Sequence, residues 1–272
     1  MFETIFHPSD FTETSRIAFC HALKIALSAN AELKMLHVSS AGIHGQYEQF
    51  PGVRETLEKW QVLQTGSHRN AVSRLGMDVE KTVIHDNHFI AAVADFLKDN
   101  PSSLVVLATH RRAGIALFGT SKSEPIARTA ATTTLFVPDG VSGFISPETG
   151  EVGLATIVVP VALQPRCDAS ITSVLHLART LNAKSVDIHL LHIGDIATLP
   201  SLDFPSTDDI RFHVHTREGE VVSSIVNFAE EIRADLVAMT TAGHHGFLDA
   251  LRGNTTEQVL RRIQCPLWAV TQ

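Results

Sequence analysis

Apolar positions fall into short continuous runs separated by longer amphipathic stretches, and that alternation sets the first expectation. Thr4-Ile5-Phe6-His7-Pro8 is a short apolar run ended by a proline. Behind it Phe19, Ala22, Leu23, Ala26 and Leu27 recur at i, i+3, i+4, i+7 and i+8, which marks one buried helix face. Thr12 is placed to cap that helix, and Asp10 lies in the loop before it. Glu32–Val38 reads as a second strand and Lys81–His85 as a third, while the wholly apolar Leu104–Thr109 reads as a central parallel strand. Residues 39–50 are irregular, a helix is expected over Val53–Ala71, and Ile90, Val93, Ala94 and Leu97 mark another. A loop to Gly119-Thr120-Ser121 and a short helix lead to a last strand, Thr134–Val137.

The order then restarts. Pro138-Asp139-Gly140 and Ser146-Pro147-Glu148-Thr149-Gly150 are turn-rich and read as a linker with room for a small hairpin. Thr156–Pro160 repeats Thr4–Pro8, Val186–Ile193 repeats Leu33–Val38, and Leu236–Thr241 repeats Leu104–Thr109. Between them Phe212–His215 precedes Val222, Ile225, Val226 and Ala229, the same helix face as in the first half. Only residues 194–211, with Pro200 and Pro205, stand where the first half has its long second helix. Strands and helices alternating through short loops give parallel sheets wound right-handedly, with helices on both faces. The expectation is two such α/β units, residues 1–140 and 154–272 joined by a linker at 141–153, each with its own sheet rather than one sheet through both.

Composition narrows the class. At 272 residues, 44% hydrophobic and 19% charged, the chain suits two ordinary globular domains. Cys20, Cys167 and Cys265 are far apart and odd in number, which excludes a disulfide framework and fits a reducing compartment. No run approaches 18 apolar residues, and Met1-Phe2-Glu3-Thr4 lacks the start of a signal peptide. A net charge of −7 argues against non-specific nucleic-acid binding. A soluble cytoplasmic protein with neither nucleic acid nor membrane as partner is expected.

In open parallel sheets, ligands sit beyond the carboxyl ends of the strands. The loop from Thr241 to Glu257 leaves such an end with Gly243, Gly246 and Gly253, which let backbone N–H groups approach an anion. Asn254 and Glu257 read as a capping box on the helix that follows. Among fifteen histidines, His7, His37, His85, His110, His192, His215, His244 and His245 fall near carboxyl strand ends. Zinc needs three or four converging ligands, and no tight His-x-x-x-His or Cys-x-x-Cys spacing occurs. No metal site is therefore expected; His215 with His244 or His245 is the set that comes nearest to one. Arg111-Arg112 reads as solvated charge. Neither a Gly-x-Ser-x-Gly elbow nor a Walker pattern is present, and no cysteine has the context of an activated thiol, so a dedicated catalyst is not indicated.

The string Thr241–Glu257, with Gln264-Cys265-Pro266-Leu267-Trp268-Ala269-Val270 behind it, resembles the universal stress protein family. The signature of that family is Gly-x-x-Gly, a spacer, then Gly-Ser or Gly-Thr opening the last helix. The resemblance covers both halves and implies an open five-stranded α/β sandwich in each, Rossmann-like and of the adenine nucleotide alpha hydrolase type. It implies that the halves meet through Thr134–Val137 and Leu267–Val270 about a pseudo-twofold axis, an intramolecular pseudo-dimer, with a further homodimer left open. It also places His37 and His192 as packing and hydrogen-bonding residues.

The ligand implied by the resemblance is ATP or another adenine nucleotide, with or without a divalent ion. An acidic residue after the first strand lies near the ribose, backbone after the second strand faces adenine, and the glycine loop holds phosphates. Carried over, the first half keeps Asp10, Val38, Gly114, Gly119, Thr120 and Ser121, but His110-Arg111-Arg112-Ala113-Gly114 stands where the first loop glycine belongs. The second half keeps Gly243, His244, Gly246, Gly253, Asn254, Thr255 and Ile193, but has Ala162 where the acid belongs. Its spacer from Gly246 to Gly253 is six residues where nine is usual, and Asn254 replaces Ser or Thr. The expectation is a stress-response nucleotide-binding module rather than a turnover enzyme, with at most one nucleotide per chain, in the second half. The alternatives are a nucleotide-free structural or interaction protein of the same fold and, third, a slow ATP hydrolase.

Overall fold

The apolar runs form the middle of a sheet, and the strands with polar alternation form its edges. In a computed structural model describing residues 2–40, 47–109, 132–200, 209–241 and 255–271, the first half contributes β1 (Thr4–Pro8), β2 (Glu32–Ser39), β3 (Val79–His85), β4 (Leu104–Thr109) and β5 (Thr133–Pro138). The second contributes β6 (Thr156–Val161), β7 (Val186–Ile193), β8 (Ile210–Arg217), β9 (Leu236–Thr241) and β10 (Leu267–Thr271). All six residues of β4 and of β9 are buried, as strands covered on both faces require. β3 and β8, each with a single buried residue, lie outermost, in the order β3-β2-β1-β4-β5-β10-β9-β6-β7-β8.

Helices cover both faces. On one side α1 (Glu13–Ala29), α2 (Val53–Lys59) and α4 (Asp168–Thr180) enclose a core containing Phe19, Leu23, Leu57, Val174 and Trp268. On the other, α3 (Phe89–Asp99), α5 (Val221–Glu231) and α6 (Thr255–Leu260) enclose Phe6, Phe96, Phe136, Phe228 and Leu267. Thr12 caps α1, its side chain accepting the Ser15 N–H.

Strand register makes the repeat exact enough to assign equivalent residues. Ile5 pairs with Leu33 and Leu104; Ile157 pairs with Ile188 and Leu236. Asp10 therefore corresponds to Ala162, His37 to His192 and Val38 to Ile193. Hydrogen bonds obey the same correspondence. The Ser103 hydroxyl accepts the N–H groups of Glu3 and Thr4, and the Asp235 carboxylate accepts those of Ala155 and Thr156.

Within each half the five strands are parallel, and the halves meet where β5 and β10 pair antiparallel. Leu135 lies opposite Trp268, flanked by Phe136–Leu267 and Thr134–Ala269. Val106 pairs with Leu135 as Ala238 pairs with Trp268, so these two are equivalent residues and the pseudo-twofold axis runs between them. The tandem five-stranded architecture is as expected, but the separation of the two sheets is not. Hydrogen bonding runs through all ten strands, because each half ends on an edge strand whose free N–H and C=O groups the other half satisfies.

Two segments differ from the sequence reading. The helix expected over Val53–Ala71 ends at Lys59, with short 3₁₀ turns at Arg69–Ala71 and Ser73–Leu75. Gln61 leaves helical space at φ 58° and Gly66 turns at φ 77°, while Trp60 folds inward and its indole N–H donates to the Pro147 carbonyl. The third strand also begins two residues early, at Val79, paired to Leu33.

The turn-rich segment between the halves is packed, not loose. Val141, Phe144, Ile145 and Leu154 are buried, and Ile145 bridges Val152. The buried His21 ring of α1 donates from Nδ1 to the Ile17 carbonyl and accepts at Nε2 the N–H groups of Phe144 (3.0 Å) and Ile145 (3.2 Å). Gly143 (φ 73°) and Gly150 (φ 69°) pass so close to His21 and Trp60 that a Cβ would overlap the rings.

Candidate functional site

Chain order reverses direction between β6 and β9: β7 and β8 extend to one side of β6, and β9 returns to the other. A cavity of about 300 Å³ opens at that switch point, beyond the carboxyl ends of the strands, where open α/β sheets place ligands. The end of β6 and the turn behind it supply Pro160, Val161, Ala162, Gln164 and Pro165. β7 supplies Ile193, and β9 supplies Met239, Thr240 and Thr241. Val221 and Ile225 of α5 and Thr255 and Thr256 of α6 close the wall.

Of the residues expected from sequence in the second half, Ile193 and Thr255 line this cavity. Gly243, His244, Gly246, Gly253 and Asn254 lie outside the described residues, as do Gly114, Gly119, Thr120 and Ser121 of the first half. Met239, Thr240, Gln164 and Val221 were not singled out from sequence. The strand pattern would have found Thr240, because it stands next to last in the all-buried strand beside β6. None of the described lining residues is charged.

His192 holds this wall in shape. Its Nδ1 donates to the Val161 carbonyl at 3.1 Å, tying the end of β7 to the turn that carries Ala162. His37 does the same in the first half, donating to Ser9 O at 2.7 Å beside Asp10. Both histidines therefore pack and hydrogen-bond, as expected. Asp10 accepts the Thr12 N–H at 3.0 Å and the Thr12 hydroxyl at 2.6 Å, so its carboxylate organises the turn before α1. Phe11, in left-handed backbone at φ 64°, stacks on His37 with centroids 4.0 Å apart and meets the edge of Phe50. Val38 packs against the opposite core.

The histidines of the outer edge form a separate group. His189 of β7 stacks on His213 and His215 of β8, and its Nδ1 lies 3.0 Å from His215 Nε2. His213 Nε2 meets Asp187 at 2.7 Å, and Arg211 adds a two-pronged pair to the same carboxylate. That pairing, with the His213 bond, holds the Asp187 carboxyl far below the usual range. Burial, then the neighbouring imidazoles, lowers the His189 pKa; burial, then His213 and Arg217, lowers that of His215. Among the described residues no three ligating side chains converge on a metal position. His244 and His245 lie outside those residues.

Burial acts on the thiols as well, disfavouring their charged form. Burial pushes Cys20 up to about 11 and Cys265 up to about 12, away from the thiolate form a nucleophile needs.

Residues 1–138 and 205–271 match the sequence model of the Universal stress protein family. A stretch of 58 residues is 41% identical to a universal stress protein E homolog of Haemophilus influenzae, covering 21% of this chain and 19% of that protein. Another of 61 residues is 36% identical to a universal stress protein of Methanocaldococcus jannaschii, covering 22% and 36% respectively. The chain thus aligns with about a fifth to a third of the length of these curated relatives. Among solved structures, a universal stress protein from Archaeoglobus fulgidus superposes over 99% of this chain and 96% of its own, with TM-score 0.58 and 18% identity. A functionally unknown protein from Pseudomonas aeruginosa does so over 99% and 92%, with TM-score 0.60 and 12% identity. At these identities the likeness is one of fold.

Proposed function

The chain belongs to the universal stress protein family, and from that premise we propose that it is a stress-response module that binds one adenine nucleotide, in its second half, without turning it over. The observation that carries this reading is the cavity at the β6/β9 switch point, bordered by Ile193 and Thr255. Its apolar walls suit a flat heterocycle, and α6, which follows the glycine loop in sequence, forms one side. In the first half the corresponding turn carries Phe11, whose ring lies over His37 instead of leaving that wall open. The reading includes residence in the cytoplasm, and no helix among the described residues is long and apolar enough to cross a membrane.

Mass spectrometry of the purified, denatured protein tests occupancy, with release of an adenine nucleotide at up to one per chain as the expected result. Gly246→Val is expected to abolish binding with little loss of folding, since a β-branched side chain blocks close backbone approach. Unchanged affinity in that variant by calorimetry removes the glycine loop from the site. Two equivalents per chain overturn the assignment to one half.

A further inference from the structure

We propose that His189, His213 and His215 form a pH-sensitive latch on α5, closed at neutral pH and released by proton uptake, so that acid loosens the wall that α5 gives to the second-half cavity. The inference goes beyond the nucleotide reading and holds for any ligand the cavity takes. One end of α5 supplies Val221 and Ile225 to the cavity, and the other end rests on the histidines. Phe228 lies against His215 with centroids 4.8 Å apart and meets His189 edge-on at 6.1 Å. Arg217 of β8 packs on the Phe228 ring at 5.2 Å and pairs with Glu231 in the last turn of α5.

Such a seat holds only while its rings are neutral. His189 Nδ1 and His215 Nε2 are 3.0 Å apart, so one donates a hydrogen bond and the other accepts it on an unprotonated nitrogen. A proton added there sets N–H against N–H. His213 and, on β8, Arg217 oppose further positive charge, whereas Asp187 of β7 and Glu231 of α5 favour it. Both carboxylates already hold cationic partners, Asp187 with Arg211 and His213 and Glu231 with Arg217. Burial comes first, and both rings hold off protons to a pH below the usual 6.5. Releasing α5 returns the rings to water and to their ordinary affinity for protons, so falling pH favours release. The first half supplies the contrast. By strand register Lys34 stands where His189 does, Glu32 where Asp187 does and Glu80 where His213 does. Lys34 Nζ lies 3.2 Å from Glu80 and 3.7 Å from Glu32, and donates at 2.7 Å to the Asn100 side chain just past α3. Histidine is the side chain whose charge ordinarily changes between pH 5 and 8, and the seat of α3 is built from lysine and glutamate instead.

Hydrogen exchange of the full-length chain at pH 7.5 and pH 5.5, scaled for the intrinsic dependence of exchange on pH, tests this, with α3 as the control inside the same molecule. At the lower pH the α5 amides, Ile225 included, are expected to lose about fivefold or more in protection relative to those of α3. Equal loss in the two helices, or no loss at Ile225, overturns the inference. In the double variant His189→Gln, His215→Gln, whose amides take up no proton, the difference between α5 and α3 is expected to vanish. A difference that persists there overturns the inference as well. Circular dichroism checks the folding of the variant; if it fails to fold, the comparison of α5 with α3 in the parent alone decides.

Discussion

Among the described residues, His7 and His21 are the buried histidines whose pKa lies furthest below the usual value. Both are fully buried, and desolvation lowers each from 6.5 to about 4, outweighing the carbonyl bonds to Val106 and Ile17 that act the other way. The unfolded chain takes up these protons near pH 6.5, whereas the folded chain resists them until about pH 4. Stability is therefore fully present above pH 6.5 and is lost as pH falls toward 4, by on the order of 3 kcal/mol for each histidine. Urea denaturation at pH 7 and at pH 4.5 is expected to show that loss; equal stability at the two pH values contradicts it. His21 has a second role, because its unprotonated Nε2 is the acceptor for two N–H groups of the connecting segment. Nothing in the sequence distinguishes these two from the other histidines. Fifteen histidines first suggest ligands, and only burial shows that two are neutral pillars of the core.

At the scale of elements, the first half carries a device that the described second half does not. Trp60 follows α2 directly and receives the connecting segment at Pro147 and Gly150, while Lys59 pairs with Glu148. Trp60→Ala is expected to destabilise the chain by about 3–5 kcal/mol, as aromatic deletions in cores do. Proteolysis should then begin near residue 147, and a parent-like cleavage pattern counts against this docking. The strands were legible as apolar runs, and the capping of α1 by Thr12 as a local pattern. The end of α2 was not, since no proline or glycine interrupts Val53–Thr65 and the inward turn of Trp60 depends on residues nearly ninety positions away. The same holds for the cavity. Ile193 and Thr255 sit where a strand end and a helix start are readable, whereas Met239 and Gln164 reach it only through tertiary packing.

For the molecule as a whole, the decisive feature is the β5/β10 pairing. It converts two sheets into one hydrogen-bonded body, with Trp268 fully buried beside the axis and its indole N–H donating to Ser173. Ala269→Pro removes a strand N–H and adds a ring in the middle of the sheet, at a cost of about 3 kcal/mol or more if the penalty resembles that in a helix. Calorimetry is expected to resolve two transitions in that variant and one in the parent. A single, merely lowered transition means that the halves cooperate through the helices α1 and α4 instead. The same pairing has a consequence for how such a chain can change over generations. In a homodimer, every substitution on the axis arrives twice and must tolerate meeting itself. Fusing the copies removes that rule, and here leucine faces tryptophan, a small-against-large match that no pair of identical subunits could make at one position. Each half can then carry its own residue at an equivalent position, as Asp10 and Ala162 do.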